Sequence, residues 1–522
     1  MSNVIKKPTI IFTGLICLVV VGLTLMFIFQ LCPPQGPWPM PPWCGEGELI
    51  PYFSTGKVLF IVHVPECTPP GEPVCLTINK GTHYVMDYNG SNTWVKELNL
   101  RAWNYNTYWF SRACLGYESG EVIDMNETYE EWSKKHKLVV NKPFIIVNHT
   151  IKEWRWLPCN INVSLNFSDR PSFKPRPVFM KGVSIIDYWW NEFGISEYNI
   201  TKNTARKVSE LGDYVNIFSV YTINFNDYGI SLQKNREISY AYTEENISYE
   251  IREYKKAGLK VNLSNTVWQS IPSEEYYKNR TDEWWDRYNN VVHEYLTSIA
   301  RLAQREGAEM MQVGYGSDSL LAFATWAPHP KKVEKAWLDT IKEVKQIFDG
   351  KLIYTYVFCG RRDDPVYYFS DVLDPILKEV DYIGVSWWRG FTDNTNASLE
   401  ELIDAINNEF DKVLKPLYDK YKKPIILIPA IPSAKGGYSG YYLAENETIS
   451  PWLPPDEVPN DLEGQAIFYE ALMRVVANKT WIAGVMPWGY WRVDLVDKSS
   501  NIRGKPAEEV LKDWFKLIDE AS

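Results

Sequence analysis

Two aspartates follow apolar runs that we expect to form buried strands. Asp187 comes directly after the run Val178–Ile186, and Asp318 lies in the Gly- and Ser-containing turn after the run Glu309–Gly314. Two carboxyl groups about 6.5–9.5 Å apart can act as general acid and base in the inverting hydrolysis of a glycosidic bond. Asp in a loop also commonly caps a helix or binds loop amides, so a structural role is the competing interpretation. Asp187 and Asp318 are our candidate catalytic residues.

Aromatic side chains are concentrated at the same strand ends. The chain contains 22 Trp and 33 Tyr, which could simply fill a large core. A flat aromatic ring is also an amphipathic surface on which a sugar ring can stack. We therefore predict a carbohydrate-binding cleft, with a structural role as the alternative for each residue. The predicted contacts are Trp189, Tyr221, Trp268, Trp387, Trp388, Arg389, Trp488 and Trp491.

Strand and helix patterns alternate from Val178 to the end of the chain. One unit is typical: a helix opened by Asp282 and Glu283 ends at Gly307, and the apolar strand Glu309–Gly314 follows. Eight such strands, each followed by a helix, predict an α/β fold, a (β/α)₈ TIM barrel over residues 178–522 with its chemistry at the carboxyl ends of the strands. The eight predicted strands are Val178–Ile186, Tyr214–Ile223, Leu259–Ser264, Glu309–Gly314, Leu352–Phe358, Tyr382–Ser386, Pro424–Pro429 and Ile482–Met486.

These units resemble the TIM-barrel glycoside hydrolases of the large retaining clan, most of all its endo-β-mannanase-like branch. The resemblance spans roughly residues 178–518. The segments that carry it are Lys181–Ser184, Ala257–Val261, Val313-Gly314, Lys423–Ile426, Trp481–Val485 with Trp488, and Gly504–Glu509.

The resemblance implies two catalytic glutamates, at the ends of strands four and seven. Here these places read Gly314-Tyr315-Gly316 and Ile428-Pro429-Ala430-Ile431-Pro432, with no carboxylate. Two hypotheses follow. The chain is a hydrolase of polysaccharide or glycan with relocated carboxyl groups, Asp318 being the best candidate, or it is a catalytically inactive glycan-binding or structural protein.

A smaller domain is predicted over residues 46–167, where short apolar runs alternate with Gly, Pro and Asn turns as in an all-β sandwich. The turn around Pro65–Gly71 resembles that of starch-binding-type modules, and this would make Trp94, Trp103 and Trp109 candidates for sugar stacking. Burial in the sandwich core is the alternative for each. Residues 168–177 are predicted to be a linker between this domain and the barrel.

The N-terminal segment has the composition of a membrane anchor. Residues 9–31 are uncharged and mostly apolar, long enough to cross a hydrocarbon core of about 30 Å. Lys6 and Lys7 precede them, and the next basic residue is Lys57, which predicts a cytoplasmic N-terminus (residues 1–8) and an extracellular remainder. A cleaved signal peptide is the alternative. The Pro-rich residues 32–45 then form a stalk.

Cysteines and glycosylation motifs agree with export. Six cysteines could form three disulfides of unknown pairing: Cys32, Cys44, Cys67, Cys75, Cys114 and Cys159. Several Asn-x-Ser/Thr acceptors occur, among them Asn89, Asn148, Asn262 and Asn396. The net charge of −10 gives no indication of nucleic-acid binding. The scattered histidines and the lack of a Cys-x-x-Cys pair or a phosphate-binding glycine loop predict neither metal nor cofactor.

Overall fold

The computed structural model describes residues 54–68, 72–79, 82–102, 105–112, 136–154, 165–185, 197–226, 229–233, 244–268, 277–315, 327–358, 370–439, 458–492, 494 and 496–521. The chain forms two compact units, residues 1–68 with 73–155, and residues 69–72 with 156–522. No helix within these described ranges is long and apolar enough to cross a bilayer, and the predicted span 9–31 lies outside them.

The first unit contains two four-stranded sheets, in the orders β4-β5-β1-β8 and β3-β2-β6-β7. Inward residues of β1 alternate with outward ones, as a strand with one buried face requires. Inward-facing Phe60 packs edge-on against Tyr108 and Phe110 of the other sheet. The strands are β1 (Thr55–His63), β2 (Val74–Ile78), β3 (Thr82–Val85), β4 (Asp87–Tyr88), β5 (Thr93–Arg101), β6 (Tyr105–Arg112), β7 (His136–Val139) and β8 (Phe144–Thr150).

The tryptophans of this unit have different surroundings. Trp109 is buried in the core, whereas Trp94 is half-buried and lies 5.2 Å from the exposed ring of Tyr88. Trp103 lies outside the described residues.

Two of the six cysteines predicted to form disulfides, Cys67 and Cys75, are each disulfide-bonded.

The second unit is a closed barrel of eight parallel strands, as predicted. β9 pairs with both β10 and β17, which closes the ring. The barrel strands are β9 (Met180–Ile185), β10 (Tyr214–Asn226), β12 (Lys260–Trp268), β13 (Met310–Tyr315), β14 (Lys351–Phe358), β15 (Tyr382–Trp387), β16 (Ile425–Pro429) and β17 (Ile482–Val485). Two strands that the sequence did not predict are added to it: β11 (Gly229–Gln233) extends β10 as a hairpin, and β18 (Trp488–Tyr490) pairs with β9.

Helices follow the barrel strands in the expected alternation. They are α1 (Glu197–Leu211), α2 (Glu244–Lys256), α3 (Asp282–Glu306), α4 (Pro330–Ile347), α5 (Ser370–Glu379), α6 (Leu399–Glu409), α7 (Lys415–Tyr421), α8 (Leu462–Asn478) and α9 (Pro506–Ala521). The local signals act as expected: Gly307 ends α3 in the left-handed region, and Ser398 with Glu401 forms a capping box at the start of α6.

Apolar residues fill two separate regions of the barrel unit. The larger core lies between the strands and the surrounding helices. The smaller one fills the amino-terminal end of the barrel interior and contains Met180, Tyr214, Met310, Ile353, Ile426, Ala483 and Met486. Because side chains alternate across a strand, residues two or four positions from these also face the interior.

The predicted linker is bound to the barrel. Arg170 donates to the buried carboxylate of Glu470 on α8, and Trp514 of α9 donates to the same carboxylate. Arg176 donates to four carbonyls of residues 476–482, at and just beyond the carboxyl end of α8. Residues 168–177 thus form a strap fixed by ion pairs and helix capping.

Candidate functional site

The carboxyl ends of β15 and β17 bring two tryptophans together. The ring centroids of Trp388 and Trp488 lie 4.7 Å apart, with 53° between the ring planes. Trp388 is two residues after Ser386 and six after Tyr382, which packs on the interior cluster, so it faces the barrel interior. Trp488 is two residues after the interior residue Met486. The pair therefore lies at the mouth of the barrel.

Hydrogen bonds orient Trp388. Its indole N–H donates to the hydroxyl of Ser386 at 2.7 Å, and its backbone N–H donates to Phe358 O at 2.8 Å. Trp488 is only 4% exposed, whereas Trp388 is half-buried. Part of the Trp388 ring is thus accessible at the mouth while its orientation is set from below.

Ala430 lies at the end of β16, between the strands that carry the two tryptophans. It is four residues after the interior residue Ile426, so its methyl group faces the interior. Its N–H donates to Trp387 O at 2.9 Å, which ties the end of β16 to β15. At this strand end, where the resemblance implies a glutamate, the chain presents a methyl group.

Trp387 and Arg389 lie outside the barrel mouth. Trp387 is 2% exposed, stacks on Phe391 with centroids 4.8 Å apart and donates its indole N–H to Arg389 O. Arg389 is also buried, with its guanidinium 4.0 Å from the carboxylate of Glu409 on α6. These contacts are those of the core between strands and helices, because neighbouring residues of a strand face opposite sides.

Trp491 is held inside the segment that follows β18. Its indole N–H donates to Ser499 Oγ at 3.1 Å, and its backbone N–H donates to Asn501 Oδ1 at 3.0 Å. The side chain is 9% exposed. These contacts account for its burial without a ligand.

Five predicted residues cannot be placed by their side chains. Tyr221 and Trp268 lie on the carboxyl-terminal parts of β10 and β12, whose side chains there are not described. Asp187, Trp189 and Asp318 lie outside the described residues. The two predicted catalytic aspartates therefore stay predictions.

A buried lysine joins the loops after β16 and β18, and sequence reasoning gave it no role. Lys505 Nζ donates to Ser433 Oγ at 3.0 Å, to Asp497 Oδ1 at 3.1 Å and to Ser499 O at 3.0 Å. Burial lowers the pKa of Lys505, and Asp497 opposes that change. In the sequence, the signal that could have indicated a role for Lys505 is its position in the Gly504–Glu509 motif.

A second ion-pair cluster fixes the same segment to α1. Asp494 lies 2.8 Å from Lys207 and 2.7 Å from Arg503. Burial acts to raise the pKa of Asp494, but the two cations outweigh it and hold the pKa below its usual value. Both clusters hold the loops that flank the barrel mouth.

Parallel eight-stranded barrels keep their functional residues at the carboxyl ends of the strands, and the fold is shared by enzymes of many classes. The sequence profile of Glycoside Hydrolase Family 113 matches residues 197–505, more than half of the chain. The protein therefore belongs to glycoside hydrolase family 113.

Several solved structures are similar to this chain. A family 113 β-mannanase from Alicyclobacillus acidocaldarius, in complex with ManMIm, is 21% identical, and the match covers 65% of this chain and 98% of that one with a TM-score of 0.47. A second family 113 β-1,4-mannanase is 19% identical, with 65% and 99% covered and a TM-score of 0.47. A fungal β-1,4-galactanase is 13% identical, with 61% and 90% covered and a TM-score of 0.36. No curated protein sequence matches the chain significantly.

Proposed function

We propose that this protein binds polysaccharide or oligosaccharide at the mouth of its barrel and does not hydrolyse it by a two-glutamate retaining mechanism. The observation that carries the proposal is the juxtaposition of Trp388, Trp488 and Ala430. The half-buried ring of Trp388, backed by the buried ring of Trp488, offers a sugar-stacking surface, and the strand end between them presents a methyl group.

The lack of carboxylates at the two strand ends supports glycan binding without this hydrolytic chemistry. Retaining hydrolysis requires two carboxyl groups about 5–5.5 Å apart, one as acid/base and one as nucleophile. Gly314-Tyr315-Gly316 and Ile428–Pro432 supply neither at the ends of strands four and seven. A methyl group can neither attack the anomeric carbon nor protonate the leaving oxygen. Loss of both groups removes the mechanism while leaving the aromatic surface in place.

We further propose that residues 9–31 anchor the protein in the cell membrane, with the barrel outside the cell. The support is the uncharged apolar stretch, the lysines that precede it, and the cysteines and glycosylation motifs that follow it. A glycan-binding barrel in that position would meet extracellular polysaccharide.

The test combines binding and hydrolysis on one panel of β-mannan, β-glucan, chitin and α-glucan oligosaccharides. Residues 45–522 are prepared as wild type and as Asp318→Asn. Binding is followed by tryptophan fluorescence, because Trp388 and Trp488 lie at the proposed site. Products are followed by chromatography of the reducing sugars.

We expect saturable binding to at least one glycan, with no products from either protein. Hydrolysis by the wild type that is lost in Asp318→Asn would replace the proposal with a relocated-carboxylate hydrolase. Neither binding nor cleavage across the panel would leave a structural surface protein as the better explanation.

A further inference from the structure

The middle layer of the barrel interior is polar. TIM-barrel interiors are usually filled by branched aliphatic residues. Here Asn216, Gln312 and Thr355 each lie two residues after a member of the interior apolar cluster, and Ser184 lies four residues after one. Asn262 pairs in register with Asn216 and shares its face. Its burial makes the prediction of Asn262 as a glycosylation acceptor wrong, because a glycan needs an exposed side chain. All five are at most 1% exposed.

Three of these side chains form a hydrogen-bonded chain with one direction. Asn262 Nδ2 donates to Asn216 Oδ1 at 3.0 Å, and Asn216 Nδ2 donates to Ser184 Oγ at 3.1 Å. Ser184 Oγ donates to Met486 O at 3.3 Å. This series of hydrogen bonds thus runs from β12 through β10 and β9 to Met486, which lies two residues before Trp488.

The first side chain in this series of hydrogen bonds is Asn262, and no described group donates to its carbonyl oxygen. Asn262 Oδ1, both amide atoms of Gln312, and Thr355 Oγ1 have no hydrogen-bond partner among the residues that the structure describes. They lie on three consecutive barrel strands, β12, β13 and β14. Buried polar groups are nearly always hydrogen-bonded, because leaving them unpaired costs free energy. Something besides the described protein groups must satisfy them.

We propose that at least one permanently buried water molecule binds here, held by the Gln312 amide together with Asn262 Oδ1 or the Thr355 hydroxyl. The groups present include donors and acceptors, and all of them are neutral. A metal cation requires converging acceptors and an anion requires converging donors, whereas water supplies both functions in one small molecule. A water that donates to Asn262 Oδ1 would be the first donor in the series of hydrogen bonds that ends at Met486, two residues before Trp488.

This water also lies below the proposed binding surface. Farther around the barrel, Ser386 accepts the indole hydrogen of Trp388. The polar layer therefore contacts both mouth tryptophans indirectly or directly. It bonds the backbone of Met486, two residues before Trp488, and it bonds the indole of Trp388. The water site is a support for the floor of the mouth, and it exists whether or not a glycan binds above it.

The first test is a crystal structure of the full chain, purified in detergent, at about 1.5 Å resolution or better. We expect water density within hydrogen-bonding distance of the Gln312 amide and of either Asn262 or Thr355. Direct contact between these side chains, with no water in between, would overturn the proposal.

The second test counts long-lived waters in solution by ¹⁷O magnetic relaxation dispersion. Gln312→Leu should lower the number by at least one relative to the wild type. Thr340→Val is the matched control, because the buried Thr340 hydroxyl already donates to Ala336 O on α4. An equal number of long-lived waters in wild type and Gln312→Leu would count against the site. Since neither measurement involves a glycan, failure here is distinguishable from failure of the proposed function.

Discussion

Trp387 and Trp388 are chain neighbours with opposite surroundings. Trp387 packs against Phe391 between the strands and helices, while Trp388 faces the barrel interior beside Trp488. The reversal of side-chain direction at each residue of a strand is the cause. Only the inward residue can meet a ligand at the mouth.

Replacing Trp388 by Ala should weaken glycan binding. Covering an aromatic ring stabilises a contact by about 1.5–3 kcal/mol, so we expect the Kd to rise about ten-fold or more. Isothermal titration with the best ligand of the panel measures this. The control is Trp481→Ala, because Trp481 precedes β17 at the opposite end of the barrel and stacks on Tyr418. Equal affinities of Trp388→Ala and wild type would remove Trp388 from the site.

Asp494→Asn should destabilise the protein in a pH-dependent way. The folded pKa of Asp494 lies below its unfolded value, so the carboxylate contributes stability above the unfolded pKa of about 3.9 and loses it as the pH falls through the folded pKa. At pH 7 we expect a loss of about 1–3 kcal/mol, as for a charged hydrogen-bond partner. Melting temperatures from pH 3 to 8 should show the difference from wild type narrowing below about pH 4.

The matched control for this pH series is Asp339→Asn. Asp339 pairs with Lys335 on the exposed surface of α4, and we expect a nearly unchanged melting temperature. A difference for Asp494→Asn that is constant across the pH range would contradict the ion-pair explanation.

At the scale of elements, the strap at residues 168–177 combines two kinds of contact. Arg170 of the strap and Arg474 of α8 both pair with the fully buried carboxylate of Glu470. Ion-pair partners of this kind offset the desolvation cost of a buried carboxylate. Arg176 satisfies carbonyls that a helix end leaves without intrahelical donors, and its positive charge suits the negative end of the helix dipole. The strap therefore stabilises α8 at two points along its length.

Arg176→Ala should destabilise the barrel unit by about 2–4 kcal/mol, because charged hydrogen bonds to several carbonyls are lost together. Urea unfolding followed by tryptophan fluorescence measures the change. Arg206→Ala is the control. Arg206 is exposed, and among the described residues its side chain pairs with Glu210 along the surface of α1, so a loss below about 0.5 kcal/mol is expected. Similar effects of the two substitutions would show that the capping contacts contribute little.

At the scale of the whole molecule, the predicted anchor at residues 9–31 precedes the described residues, which begin at residue 54. We expect the full chain to sediment with membranes and to resist extraction by high salt and alkaline carbonate. A chain lacking residues 1–31 should remain in the supernatant, because the only long uncharged apolar stretch has been removed. Immunoblots of the fractions measure this. Release of the full chain by carbonate would contradict a spanning anchor, and an N-terminus beginning after residue 31 would indicate cleavage.

Local patterns were sufficient for the barrel. All eight strands lie within a few residues of their predicted positions, because each combines an apolar run with strong flanking signals such as Gly307 and the Ser398 capping box. These signals act over neighbouring residues and need no knowledge of the rest of the chain. The absence of carboxylates at the two strand ends is likewise plain in the sequence.

The surroundings of individual side chains were decided by tertiary structure, because they depend on contacts between residues far apart in the chain. Residue type suggests a role for Trp387 and Trp388 alike, and only closure of the sheet determines which one faces the interior. Arg176 and Lys505 meet partners about 300 and 70 residues away, which no local pattern encodes. The sequence by itself determined the barrel, and it shows no carboxylate in Gly314–Gly316 or in Ile428–Pro432. The assembled structure decided which aromatic and polar groups share its interior, because burial and pairing arise only when distant strands come together.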